Sequence, residues 1–183
     1  MINFMKNNRE VIGILSIVGL LGVYSNAANA TERNNLLIKN GVNDPSATKV
    51  ALSVSRAEML KKYSNAVFLT DKDLKNVLEL VGFTGKDLKE AWAIAKRESN
   101  GRPLAFNGDK TTGDSSYGLF QINMIGDLGP ERREKFDLKS NAELFNPIKN
   151  AEIAFYMTDG GKNWDAWKGM TPKAVQWLSE FPA

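Results

Sequence analysis

Two capped amphipathic stretches in close succession, from Thr70 to Val81 and from Thr84 to Glu98, most limit the folds open to this chain. Thr70-Asp71-Lys72-Asp73 has the form of a capping box with aspartate in its last place. Leu74, Val77, Leu78 and Val81 follow at helical spacing, and Gly82 ends the run. Thr84-Gly85-Lys86-Asp87 starts a second helix, on which Leu88, Ala91, Trp92, Ile94 and Ala95 recur at the same spacing. Gly101 and Pro103 stop it. Glu98 lies three residues after Ala95, four after Ile94 and seven after Ala91, so it continues the apolar face. A carboxyl group turned towards a core is costly to keep ionised, and its pKa is expected to rise. A raised carboxyl pKa suits a general acid near neutral pH. The alternative is a helix-end carboxylate paired with a nearby lysine or arginine.

The rest of the domain reads as irregular structure followed by more helices. Between Leu104 and Tyr117 the chain is polar and carries Asn107-Gly108-Asp109 and Thr112-Gly113-Asp114. Asn-Gly is a hairpin-turn signal, so a small, irregular β-hairpin is expected here. Leu119, Phe120 and Ile122 return the chain to the core. Residues 124–143 read as short helices and loops broken at Gly129-Pro130. Asn146-Pro147 is an N-cap and first-turn pair that opens a helix carrying Ala151, Ala154, Phe155 and Met157. Gly160-Gly161 stops that helix, and Thr171-Pro172 opens a last short one with Val175 and Leu178. The fold class expected is α+β, mainly helical with a small β-hairpin.

Three segments are expected: 1–30, 31–69 and a domain over 70–183. Residues 11–23 are uncharged and apolar, preceded by Lys6 and Arg9 and followed by Ala28-Asn29-Ala30. That describes a secretory signal peptide. The run is short for a transmembrane helix, which needs about 17–25 residues. An uncleaved anchor and a segment that contacts a membrane or a partner are the other readings. Residues 31–45 read as an asparagine-rich linker, and a helix is expected over Ala47–Ala66.

Composition removes several chemistries. The chain has no cysteine, which excludes disulfides and cysteine nucleophiles. It has no histidine, which removes Ser-His-Asp schemes and the usual zinc sites. Acid–base work must then fall to Asp, Glu, Lys or Tyr. The net charge of +3 comes without a dense basic stripe, so nucleic-acid binding is not supported. No metal or cofactor is implied.

Glu98-Ser99-Asn100-Gly101 is followed about twenty residues later by Ser116-Tyr117-Gly118-Leu119-Phe120-Gln121-Ile122-Asn123. This pair of motifs resembles the lysozyme superfamily, in its goose-type lysozyme and soluble lytic transglycosylase branch. It is most similar to the muralytic domains of bacteriophage tail and injection proteins. The resemblance covers roughly residues 70–168. The absence of cysteine excludes the animal-type lysozyme pattern, which depends on disulfides. Soluble transglycosylases usually carry Ala-Tyr-Asn in a late helix, and this chain does not. It has Asn163-Trp164-Asp165-Ala166-Trp167 instead. Phage domains often show Trp-x-x-Trp after a helix that starts with Asn-Ala, a place that Asn150-Ala151 fits.

The resemblance implies a peptidoglycan-cleaving enzyme acting on the β-1,4 bond between N-acetylmuramic acid and N-acetylglucosamine. Glu98 is its acid. Ser99 orients the carboxyl or caps the helix. Gln121 lines the cleft, offering donor and acceptor to an N-acetyl group. Tyr117 faces the cleft or packs in the core, and Asn123 joins the substrate side. Trp164 is expected in the core and Trp167 half exposed for stacking on a sugar ring. A hydrolase needs a second carboxylate, for which Asp114 and Asp109 are the candidates, each otherwise a turn cap. A lytic transglycosylase needs none, because the substrate's acetamido group and 6-hydroxyl complete the step. The partners expected are glycan strands, other virion or tail proteins, and a membrane through residues 11–23. The place of action expected is extracytoplasmic.

Overall fold

The computed structural model describes residues 45–109, 111 and 113–183. The apolar segment 11–23 and residues 31–44 of the linker lie outside the described residues. Among the described residues no helix is long and apolar enough to cross a membrane. Contacts divide the chain into two units, Met1–Ala51 and Leu52–Ala183. Of the first unit only the opening of helix α1 (Pro45–Tyr63) is described. All that follows concerns the second.

Residues 52–69, read from the sequence as extension, form part of this unit. Tyr63 and Leu69 are buried in its core. Arg56 Nη1 donates to the Leu80 carbonyl at 2.8 Å. Little in the local pattern announces this, because the apolar positions of α1 make only a partial face.

Helix α2 (Asp71–Val81) has the capping box expected, with Thr70 as N-cap. The Asp73 carboxylate is also the hub of a small network. It accepts from Lys62 Nζ at 2.8 Å, from the Tyr63 hydroxyl at 2.8 Å and from Thr70 Oγ1 at 2.7 Å. The Lys62 ammonium, and after it the Thr70 hydroxyl, hold this carboxyl well below the usual carboxylate range. A depressed folded-state pKa means stability that is present above the unfolded value of 3.8 and lost as pH falls below it. Asp73→Asn is therefore expected to lower the melting temperature at neutral pH. The melting curves of parent and variant should converge in acid; parallel curves would show that the network adds no pH dependence.

Helix α3 (Gly85–Ser99) is buried over Ala91–Lys96 all the way round. It packs against α2 and against α6 (Pro172–Trp177), while α2 packs against α5 (Pro147–Met157). Thr84 makes no side-chain capping bond to α3, unlike the threonine before α2. Asn100 in the left-handed region and Gly101 at φ +71° end it, which puts Glu98 where the helix emerges from the core.

The expected hairpin is a three-stranded antiparallel sheet in the order β1 (Phe106–Asn107), β2 (Ser116–Tyr117), β3 (Ile122–Asn123). Phe106 pairs with Tyr117 and Asn107 with Ser116, so the first connection is a wide loop rather than a tight Asn-Gly turn. The third strand arises because the chain reverses between Gly118 and Gln121, at φ +73° and +46°. A Cβ on Gly118 would lie 2.3 Å from both Asn150 Nδ2 and the Leu144 carbonyl oxygen, so only glycine fits this turn.

Gly129-Pro130 is not a break but the first turn of α4 (Leu128–Lys135), where a proline forfeits no helical hydrogen bond. Asn146 caps α5 as its sequence indicates, accepting from the Ile148 and Lys149 amides. Thr171 caps α6 through the Ala174 amide. Asn150, on α5 and fully buried, ties the sheet to the helices. Its Oδ1 accepts from Phe120 N, and its Nδ2 donates to the Tyr117 and Leu144 carbonyls, each at 2.9 Å. Beneath the sheet lies an aromatic cluster in which Phe120 meets Trp164 at 5.8 Å and Trp167 at 6.2 Å between ring centroids.

Candidate active site

A cleft of about 560 Å³ opens beside the end of α3. Its walls bring together Glu98, Asp114, Gln121, Asn123 and Trp167 from four separate stretches of the expected site. Ser99, Tyr117 and Asp109 are not among the cleft residues.

Glu98 is one quarter exposed on its side chain. It is also paired, as the alternative sequence reading held. Arg97 Nε lies 2.9 Å from Glu98 Oε1, and Arg97 Nη2 lies 2.7 Å from the same oxygen. The hydrogen bond from Nε and the ion-pair contact of Nη2 both fall on Oε1, which leaves Oε2 as the oxygen that can carry a proton to a ligand.

The Arg97 guanidinium, only 10% exposed, does more than hold Glu98. Its Nη2 donates to the Trp167 carbonyl at 2.6 Å. Its Nη1 donates to the Gly169 carbonyl at 2.8 Å and to Thr171 Oγ1 at 3.1 Å. Four of the five guanidinium N–H groups thus donate hydrogen bonds. The fork locks the end of α3 to the segment before α6. Arg97→Ala would leave a part-buried carboxylate and two carbonyls without partners. The loss expected in urea unfolding is about 3 kcal/mol. Arg97→Lys keeps the charge with three donors and should recover part of it. A loss within 0.5 kcal/mol, the ordinary range for a surface residue, would count against the lock.

The other expected residues divide by what their neighbours demand. Gln121 turns its Nε2 to the Ala105 and Gly118 carbonyls, at 3.1 and 2.9 Å. It therefore braces the reversal between β2 and β3, and of the donor and acceptor expected of it only the acceptor Oε1 is left for a ligand. Asn123 Oδ1 accepts from the Ile125 amide at 2.9 Å. Asp114 accepts from Asn107 Nδ2 at 2.7 Å and from Ser116 Oγ at 2.5 Å. Asp109 is exposed and accepts from the Thr111 amide and hydroxyl, which is the turn-capping geometry.

Two open choices are decided, at Tyr117 and Ser99, and one expectation, at Trp167, is corrected. Tyr117 does not face the cleft. Adjacent strand residues point to opposite faces, and Ser116 takes the cleft side. The Tyr117 ring packs between Phe106 and Phe145, at 4.9 and 5.4 Å. Ser99 is buried and donates to the Ala95 carbonyl at 3.0 Å, so it finishes the helix rather than orienting the carboxyl. Trp167 is not half exposed. It is 8% exposed, with Nε1 bonded to the Phe120 carbonyl at 2.7 Å and its ring against Phe120 and Trp164. An indole so enclosed supports the cleft wall and has no open face for a sugar ring. Trp164 is in the core, as expected.

The sequence reading missed Arg97, Arg132 and Lys168, all of which line the cleft. No local signal marked them, because neighbours along a helix do not ordinarily face each other and the other two residues reach the cleft from distant parts of the chain. Among the described residues no group of three acidic side chains is placed to hold a metal ion.

A family model described as a lysozyme-like domain matches residues 75–169, more than half of the chain. The chain belongs to that lysozyme-like family. The match takes in both motifs, the whole sheet and helices α3 to α5. The milk isozyme of lysozyme C from Equus caballus is 47% identical to this chain over 45 residues. That stretch is 25% of this chain and 35% of the horse protein, so the chain spans about a third of the length of this relative. The likeness to an animal lysozyme limits what the missing cysteines exclude. They rule out disulfides, not a shared segment. No solved structure matches the chain.

Proposed function

We propose that this chain cleaves the β-1,4 bond between N-acetylmuramic acid and N-acetylglucosamine in peptidoglycan, with Glu98 as its acid and then its base. The observation that carries the reading is the asymmetric hold on Glu98. Arg97 anchors Oε1, and Oε2 is left over a cleft lined by polar side chains. A carboxyl fixed at one oxygen is oriented without being consumed, which is what proton transfer to a leaving oxygen needs. Membership of the lysozyme-like family supports the substrate class.

Within that chemistry the reading is a lytic transglycosylase. Both oxygens of Asp114 are engaged by Ser116 and Asn107, which suits a brace of the β1–β2 loop better than a base. Glu98 would protonate the leaving oxygen and then take a proton from the 6-hydroxyl, closing a 1,6-anhydro ring. A hydrolytic lysozyme is the second reading. The observation in its favour is that Asp114 lines the same cleft as Glu98. A protein that keeps the fold and only binds the wall is the outcome if no glycan is released. The resemblance to phage tail domains supports a virion-borne role in wall penetration during genome entry. Action then lies outside the cytoplasm, alongside other virion proteins, with residues 11–23 meeting a membrane.

The test is mass spectrometry of the soluble products from purified peptidoglycan. Anhydro products, lighter than reducing ends by one water, support the transglycosylase. Reducing ends would give the hydrolase and direct attention to Asp114.

A further inference from the structure

The cleft holds more positive charge than Glu98 accounts for. The cleft residues carry three cations, Arg97, Arg132 and Lys168, against two carboxylates; Arg97 is paired with Glu98, and Asp114 keeps its charge but bonds to neutral side chains rather than to a cation. Two cations remain, Arg132 on α4 and Lys168 in the segment before α6, and both line the cleft. Among the described residues neither forms an ion pair with a carboxylate. Arg132 Nη1 donates to the Asn123 carbonyl, and no other bond holds the guanidinium. Burial pushes its pKa down, against the smaller pull of the neighbouring Glu131. Lys168 is exposed and sits at φ +59°, a backbone conformation that favours glycine or asparagine, and the next residue, Gly169, is at +61°. A long cationic side chain thus stands where local geometry asks for none.

We propose that Arg132 and Lys168 form an anion-binding subsite of this cleft, which takes a negatively charged substituent of the glycan strand. The proposal rests on peptidoglycan being the substrate, and it adds that the strand is read by its charge. A neutral sugar backbone gives two unpaired cations nothing to pair with. The carboxylates of the peptides attached to muramic acid do, and so do phosphodiester polymers attached to the same strand. A planar guanidinium takes either anion through two parallel bonds, and a lysine adds a flexible point charge. The two cations come from separate parts of the chain, so a substituent held by both would fix the strand beside Glu98.

Binding of the full chain carrying Glu98→Gln is to be measured on three preparations. One is intact peptidoglycan, one is stripped of peptides by an amidase, and one is stripped of phosphodiester polymers. The expected result is roughly tenfold weaker binding when the anion source is removed, the size of a single charge-assisted contact. The preparation that weakens binding identifies the source. Adding Lys168→Gly, which the backbone accepts, should abolish the difference, and Lys168→Arg should restore it. Arg132→Gln should reduce it, and salt should weaken it. Equal binding to all three preparations would overturn the proposal, as would a preference that survives Lys168→Gly. Glycan release by the parent chain is scored in parallel. Release without charge preference leaves the glycosidase reading standing and removes the subsite. Charge preference without release does the reverse.

Discussion

Glu98→Gln is expected to lower the rate of glycan release from peptidoglycan by about 10²–10⁴. That corresponds to about 3–5 kcal/mol of transition-state stabilisation. The substitution is isosteric, and the glutamine oxygen can still accept from Arg97, so the geometry around Oε1 should persist. What disappears is the ionisable proton at the second oxygen. Stability should change by about 1 kcal/mol or less, since the pair lies at the cleft edge. A lost rate with an unchanged melting temperature would assign the proton transfer to Glu98. A variant that keeps more than about a tenth of the parent rate, a loss smaller than a positioned acid supplies, would remove Glu98 from the mechanism.

Asn150→Ala is expected to cost about 4 kcal/mol of folding stability, because it orphans three buried backbone groups at about 1–3 kcal/mol each. The groups are the Phe120 amide and the Tyr117 and Leu144 carbonyls, all held at 2.9 Å by one side chain with no exposed surface. Small domains are stable by only about 5–15 kcal/mol, so the loss is a large fraction of the total. The same bonds hold the turn at Gly118, and Gln121 braces that turn from the other side. Activity should therefore fall together with stability, even though Asn150 is not a cleft residue. Urea unfolding of the variant gives the number through the shift in midpoint. A shift equivalent to less than about 1 kcal/mol, the net worth of a single ordinary hydrogen bond, would mean that water replaces the amide and that the turn stands by itself.

Much of the helical frame was legible because it rests on local rules. The box at Thr70, the cap at Asn146 and the start at Thr171 each satisfy backbone amides within a few residues, so the signal and the structure occupy the same short stretch. The end of α3 before Gly101 was legible for the same reason, while the left-handed turn at Asn100 was not read in advance. Gly129-Pro130 misled because a Gly-Pro pair also suits the first turn of a helix, and local sequence does not separate the two.

The side chains of the site were less legible, and the reason is distance along the chain. Residues adjacent on a helix do not ordinarily face each other, so nothing in Arg97-Glu98 announces a salt bridge. The bridge forms because the Trp167 and Gly169 carbonyls and the Thr171 hydroxyl draw the guanidinium to the helix end from about seventy residues away. Trp167 looked like a sugar platform because tryptophan suits both roles, and only the rings of Phe120 and Trp164 decide that it is enclosed. Tyr117 stayed open between cleft and core because strand alternation fixes which residues share a face but not which face meets the cleft.

By itself the sequence determined the chemistry available: no histidine, no cysteine, and a glutamate at the end of an apolar helix before a Tyr-Gly-Leu-Phe-Gln stretch. It also determined the helices, because their caps and periodicity are local. The tertiary structure decided the partners: which oxygen of Glu98 is held, which tryptophan is closed off, and which two cations are left unmatched in the cleft. Those outcomes depend on hydrogen bonds and charges between residues far apart in the chain, which exist only once the helices and the sheet have packed.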